Sequence, residues 1–216
     1  MRKDGMATRN RILDAAQSLA LKYGYGGMSL DDVIAKSGIT KGAFFYHFES
    51  KEDLAATLLR RYADRDRAQL DEMLQRAAKL SNDPAQQLLL LIGLYIEFLE
   101  SASPRVDGSL YAPFCYESGL LEASTMKPVK EAVLYRRETL SGRIREALRV
   151  HTPRIPVDPE ALADQFLVTL EGAFVLSKAS GDNKIVTRPL THLRAYLALI
   201  FAKESEIAAP PRTAVY

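Results

Sequence analysis

The sequence contains no tryptophan and, in 216 residues, a single cysteine, Cys115. One thiol cannot close an internal bridge, which excludes a disulfide-stapled scaffold and fits a reducing compartment, the cytosol. Cys115 reads as a small hydrophobe rather than an oxidant sensor, since no resolving thiol accompanies it. Long apolar runs are missing too. The longest, residues 88–99, is interrupted by Glu97 and falls short of the roughly 18 to 20 residues that cross a bilayer. No secretory leader is expected, because the basic start Met1-Arg2-Lys3-Asp4 is not followed by an apolar stretch. Neither charge sign prevails: 29 Lys plus Arg against 27 Asp plus Glu leave a formal charge of +2, so bulk charge names no partner. With 12 glycines and 10 prolines the chain is neither collagen-like nor of low complexity, and its 47% apolar content suits a globular protein with a sizeable core.

Signatures of catalysis are equally scarce. His47, His151 and His192 lie far apart, without the His-x3-His or Cys-x2-Cys spacing of a zinc site. There is no Gly-x-Ser-x-Gly, no P-loop and no Gly-x-Gly-x-x-Gly after a strand; Gly24-Tyr25-Gly26-Gly27 reads as a helix stop. The expectation is a protein with no catalytic residues, no metal site and no cofactor, and not an enzyme.

What the sequence does contain is helix. From Thr8 as N-cap, Ile12, Ala16, Leu19, Ala20 and Tyr23 recur at the spacing of an amphipathic helix, halted by Gly24, Gly26 and Gly27. Ser29 with Asp32 opens a short second helix that ends at Gly38; Thr40 caps a third over residues 41–47; Ser50-Lys51-Glu52-Asp53 starts a fourth. Further N-cap signals with a nearby proline stand at Asp83-Pro84, Asp158-Pro159-Glu160 and Thr187 with Pro189. Strand alternation is not sustained anywhere. The fold is therefore expected to be all-α, with residues 1–50 as a helix-turn-helix unit and 51–216 as a larger helical unit. Residues 88–99, apolar on nearly every side, predict a central helix of that larger unit, and residues 101–128 predict broken helix and loop.

The informative segment is SLDDVIAKSGITKGAFFYHFESK, residues 29–51. Two short helices joined through Ser37-Gly38-Ile39-Thr40 have the turn of a helix-turn-helix, with Gly38 bending the chain and Ile39 tucked beneath. A seven-residue helix is marginal alone, so Phe44 and Phe48 are expected to pin it from behind against Val33, Ile34 and the first helix. Lys41, Gly42, Ala43, Phe45, Tyr46 and His47 then face outward. The small residues Gly42 and Ala43 permit close approach to base edges, Lys41 can reach guanine or phosphate, and Thr40 with the free N–H groups of the first turn can take a phosphate. Arg2, Lys3, Arg9 and Arg11 can reach flanking phosphates. Asp31 is either a negative charge beside the DNA or a partner of the helix dipole.

Residues 8–55 closely resemble the tetracycline-repressor (TetR/AcrR) family of bacterial transcriptional regulators. In that family the turn reads Ala-Gly-Val-Ser, then Lys-Gly, an aromatic cluster ending in His-Phe, and Ser-Lys-Glu; here it reads Ser37-Gly38-Ile39-Thr40, Lys41-Gly42, Phe44-Phe45-Tyr46-His47-Phe48 and Ser50-Lys51-Glu52. The resemblance implies a DNA-facing set of Ser29, Thr40, Lys41, Gly42, Ala43, Phe45, Tyr46, His47 and Lys51. At Phe45 the family often has a tyrosine that holds a phosphate; the ring is kept and that bond, about 1 kcal/mol, is lost.

The resemblance further implies a homodimer closed by the last two helices and an effector pocket in the larger unit. The apolar stripes Leu162, Phe166, Leu170, Ala173, Phe174 and Leu193, Tyr196, Leu197, Ile200 are the expected dimer interface, the alternative being burial inside one subunit. Tyr95, Phe98, Tyr111, Phe114, Cys115, Tyr135 and Phe166 are expected around a small-molecule pocket, or else are plain core. Glu117 and Glu171, if buried, would be costly unpaired carboxylates suited to a cationic ligand; otherwise they lie on an exposed face. Arg136, Arg137, Arg143, Arg145 and Arg149 read as a solvated basic face. The function expected is a repressor released from a palindromic DNA operator by a small molecule; the alternative is an all-α ligand-binding or protein-interaction module whose helix-turn-helix is purely structural.

Overall fold

Side-chain caps set most of the helix boundaries. The computed structural model describes residues 3–101 and 108–202. Within them the elements are α1 (Lys3–Gly27), α2 (Leu30–Ser37), α3 (Lys41–His47), α4 (Lys51–Leu80), α5 (Pro84–Ser101), α6 (Tyr111–Tyr116), α7 (Ala123–Val150), α8 (Pro159–Ser180) and α9 (Arg188–Phe201), with 3₁₀ turns at Ser118–Leu120 and Asn183–Ile185 and no strand among the described residues. Ser29, Thr40, Ser50 and Asp158 each accept a backbone N–H from the first turn that follows them, and Asp83 accepts those of Ala85 and Gln86. These contacts meet donors that a helix cannot satisfy internally.

The structure differs from expectation in two places. Helix α1 begins before Thr8 and breaks at Gly24, whose φ of 78° and ψ of 174° only glycine adopts comfortably. Thr187 makes no side-chain cap and already lies in helical conformation, so proline alone marks that start. Residues 108–128 are broken helix and loop as expected, with α6, a 3₁₀ turn and the first turns of α7 in succession and Pro128 inside α7, while residues 102–107 of that stretch lie outside the described residues.

Two apolar cores result. The first joins Ile12, Ala16 and Met28 to Val33, Phe44, Phe48, Leu54, Leu58, Phe114 and Val129. The second gathers Leu70 and Met73 with Leu91, Ile92, Tyr95, Ile144, Phe166, Leu190 and Leu197. Helix α4 serves both, its first half through Leu54–Ala63 and its second through Leu70–Ala77. Helix α5 is central to the second core, packed by α4, α7 and α9. No helix among the described residues is long and apolar enough to cross a membrane.

Candidate nucleic-acid interface and internal cavity

The turn between α2 and α3 is closed by Gly38 at φ +64°, whose N–H bonds the Ala35 carbonyl while the Ile39 N–H bonds that of Ile34. This left-handed cap satisfies the last carbonyls of α2 and turns the chain so that α3 lies across it. Phe44 and Phe48 are fully buried, with rings 5.8 Å apart, and Ile39 is half-buried against the same core. The opposite face is open. Thr40, Lys41, Gly42, Phe45 and Tyr46 are exposed, Tyr46 at 78%, and Ala43 and His47 are half-buried. Tyr46 and His47 meet edge-on at 5.0 Å. A side chain added at Gly42 would meet nothing within 4 Å, so no contact inside the chain requires glycine there.

Besides Thr40, which caps α3, two more residues of the expected set are engaged within the chain. Ser29 caps α2, accepting the Asp32 N–H and donating to the Asp32 carboxylate. Lys51 lies 4.3 Å above the Tyr25 ring; burial lowers its pKa, while Glu117 acts in the opposite sense. Arg9 likewise turns inward, over Phe48 at 5.0 Å and onto the Thr57 hydroxyl, so a phosphate contact is not its evident task. Arg11 is exposed, and the Arg2 and Lys3 side chains lie outside the described residues.

Arg61 of α4 bonds Asp14 and Gln17 of α1, and further contacts tie the helix-turn-helix and the start of α4 to the later helices. The Gly26 N–H donates to the Glu117 carboxylate at 2.5 Å, Lys178 of α8 donates to the Leu21 carbonyl at 2.7 Å, and Glu52 of α4 accepts from the Glu122 N–H and the Thr125 hydroxyl at the start of α7. Sequence spacing shows none of these. Glu117 stood out only as an acid among apolar residues, and Lys178 by no signal at all.

Between α4, α5, α7 and α8 lies a cavity of about 320 Å³ with Tyr62, Asp66, Tyr95, Phe98, Arg136 and Glu171 on its wall. Of the residues expected there, Tyr95 and Phe98 are present. Tyr111 stands behind the wall, donating to Asp66 at 3.0 Å, and Phe166 packs edge-on against Tyr95 at 5.2 Å. The other three do not line it. Phe114 is fully buried in the first core, Cys115 is exposed on α6, and Tyr135 points to the α4–α7 seam, where it donates to Asp71 beneath the Arg67 guanidinium. The solvated basic face is also corrected: Arg136 is only 4% exposed, bonded to Asp66 at 2.9 Å and to the Tyr95 hydroxyl at 2.9 Å, whereas Arg137, Arg145 and Arg149 are exposed. Burial raises the Asp66 pKa despite Arg136 and Tyr111, and burial chiefly pushes Tyr62 up to about 12.

All of the expected dimer stripes except Tyr196, which stays exposed, are spent inside the subunit. Leu162, Phe166, Leu170, Ala173, Leu193, Leu197 and Ile200 are buried in this chain alone, and Phe174 is half-buried beside the cavity. Both helices are apolar on a second side, which the bulkier inward stripe obscures in the sequence. Val168, Val175 and Leu176 on α8, with Leu199 and Tyr196 on α9, are exposed at 44–65%, and Gly172 among them would meet nothing if enlarged.

Residues 12–58 match the family model described as bacterial regulatory proteins, tetR family. The HTH-type transcriptional repressor DhaR of Mycobacterium sp. (strain GP1) is 24% identical over 194 residues, 85% of this chain and 88% of that one. The HTH-type transcriptional regulator YdgC of Bacillus subtilis is 26% identical over 100 residues, 46% of this chain; the match spans about half, 51%, of YdgC. The crystal structure of a TetR transcriptional regulator from Chloroflexus aurantiacus superposes with a TM-score of 0.74 at 26% identity, covering 92% of this chain and 97% of that one.

Proposed function

As a member of the TetR/AcrR family of bacterial transcriptional regulators, the chain carries a helix-turn-helix whose open face we propose reads the major groove of a palindromic DNA operator. The observation that carries this reading is the α3 surface: Lys41, Gly42, Phe45 and Tyr46 are exposed together while Phe44 and Phe48 hold the helix from behind. Lys41 supplies charge to guanine or phosphate, Tyr46 a hydroxyl to the backbone, and Gly42 with Ala43 the close approach. Thr40 adds its hydroxyl and His47 an imidazole at the edge of the contact. Ser29 and Lys51 contribute from the flanks, through whatever their internal bonds leave free.

A second copy of the chain covers the apolar side of α8 and α9 in this reading, so that two α3 helices face successive grooves about one helical turn apart. The open groove of about 820 Å³ between those helices, with Gln165, Thr169, His192 and Tyr196 on its walls, adjoins that side and receives the partner. Residues 1–50 act as the DNA-binding unit and 51–216 as the effector-binding and dimerising one, with α4 common to both. Binding of a small molecule in the 320 Å³ cavity releases the operator, which requires tighter binding to the conformation that does not fit DNA. The protein then acts in the cytoplasm at its operator, as a repressor.

The test is selection from random genomic fragments. A recovered palindrome, bound in a salt-controlled gel shift and lost in Lys41→Ala and Tyr46→Ala variants that remain dimeric, is the expected result; unchanged affinity in both variants removes the assignment.

A further inference from the structure

The cavity wall carries one acid that the chain leaves without a counter-charge. Asp66 is matched, with Arg136 on one oxygen at 2.9 Å and the Tyr111 hydroxyl on the other at 3.0 Å. Glu171 of α8 is different. Its Oε2 is buried and has no hydrogen-bond partner, and it enters no ion pair among the described residues. The Ser109 hydroxyl supports the carboxyl, Arg136 acts on it from beyond ion-pair reach, and Asp66 opposes it, while burial is the largest influence and raises its pKa. A buried carboxylate in this state is costly unless a cation joins it.

The rest of the wall suits such a cation. Tyr62, Tyr95, Phe98 and Phe174 present rings, and the faces of aromatic rings attract positive charge, more strongly where water is excluded. A volume of about 320 Å³ takes a small organic molecule. An anion fares worse at the buried end, because Arg136 is already neutralised by Asp66, Arg65, the other cation on the wall, is exposed to water, and Glu171 would repel it. Arg136 also has a buried Nε–H with no acceptor, which adds an ether, hydroxyl or carbonyl oxygen to the description of the ligand.

We propose that the cavity binds an organic cation, a primary to quaternary amine on an aromatic or alkyl body, with its charged nitrogen against Glu171. Naming this ligand the effector rests on the reading of the chain as a ligand-responsive regulator; the binding itself does not.

The experiment is calorimetric titration of the full chain with three probes of one shape: phenylbutylamine, phenylbutanol and phenylbutyrate. The amine is expected to bind about tenfold or more tightly than the other two, as a charge-assisted hydrogen bond implies. Glu171→Gln should abolish that preference and leave the alcohol unchanged. Phe98→Ala, at a wall position where the ring is 41% exposed, should weaken the amine more than the alcohol. An amine that binds no better than the alcohol, a carboxylate that binds best, or an amine preference intact in both variants overturns the proposal. Gel shifts with the same probes separate the two readings. Amine bound through Glu171 with DNA retained at saturation keeps the ligand class and removes the release step, whereas DNA released by the carboxylate keeps release and removes the ligand class.

Discussion

The carboxylate of Glu117 accepts the backbone N–H of Gly26 at 2.5 Å across 91 residues, and its other oxygen fills the space that a side chain at Gly24 would need. The break in α1 and the end of α6 are thus one joint. Gly24→Ala meets both a glycine-only backbone conformation and this carboxylate, and should cost at least about 1 to 3 kcal/mol in urea unfolding. Glu117→Gln, which keeps the shape, should cost less. A Gly24→Ala protein as stable as the parent would show that the joint is not built this way.

Gly42→Ala separates folding from reading. Nothing in the chain lies within 4 Å of the added carbon, and alanine favours an interior helical position over glycine by about 1 kcal/mol. The variant should melt at the same or a higher temperature while operator affinity falls several-fold in fluorescence anisotropy. Loss of stability with unchanged affinity would reverse the roles assigned to this position.

Arg136→Met leaves Asp66 buried without its cation, and removing one partner of a buried pair costs about 3 to 5 kcal/mol. Asp66→Asn strands the guanidinium instead. The double variant should lose clearly less than the two single losses added together, measured by chemical denaturation at neutral pH. Additive losses would mean that the two groups are held independently by Tyr95 and Tyr111.

The raised pKa of Glu171 carries a sign. Below the unfolded carboxyl value, about 4.3, both states are protonated and burial costs nothing. As pH rises through the higher folded value, the native state must ionise a buried group and loses stability. The Glu171→Gln variant lacks this loss, so its stability relative to the parent should grow from pH 4 upward and then level off. A difference independent of pH would place that carboxyl in contact with water.

Val168→Arg and Leu199→Arg put charge on the open side of α8 and α9, where each residue is more than half exposed. Both should fold normally and run as monomers in sedimentation, with operator binding reduced in parallel. Persisting dimers would put the partner on another surface.

Much of this molecule can be read in its residues, for local reasons. Ser29, Thr40, Ser50, Asp83 and Asp158 act as caps because their chemistry needs only the next turn, and the α3 helix spans 41–47 as the Thr40 signal and the Phe44–Phe48 spacing require. Family wording adds what spacing alone leaves open. The wall of the cavity is legible only in part, because a ring at a core-like position is the same symbol whether it faces a void, as Tyr95 does, or packing, as Phe114 does. The dimer stripe is misplaced for a related reason: periodicity shows that a helix has an apolar side without saying whether the chain itself covers it. Contacts such as Lys178 with Leu21, 157 residues apart, have no local signature.

The 30-residue α4 is roughly 45 Å long at 1.5 Å per residue, with its first turns embedded beside α3 and its middle, Tyr62 to Gln69, on the cavity wall. A pivot of about 10° at the cavity carries the end beside α3, roughly 22 Å away, through roughly 4 Å, by the same rise. In a duplex whose grooves admit little slack, a displacement of that size is enough to misalign a pair of rigidly mounted readers, so a small occupant need rearrange no secondary structure to be felt at a distance.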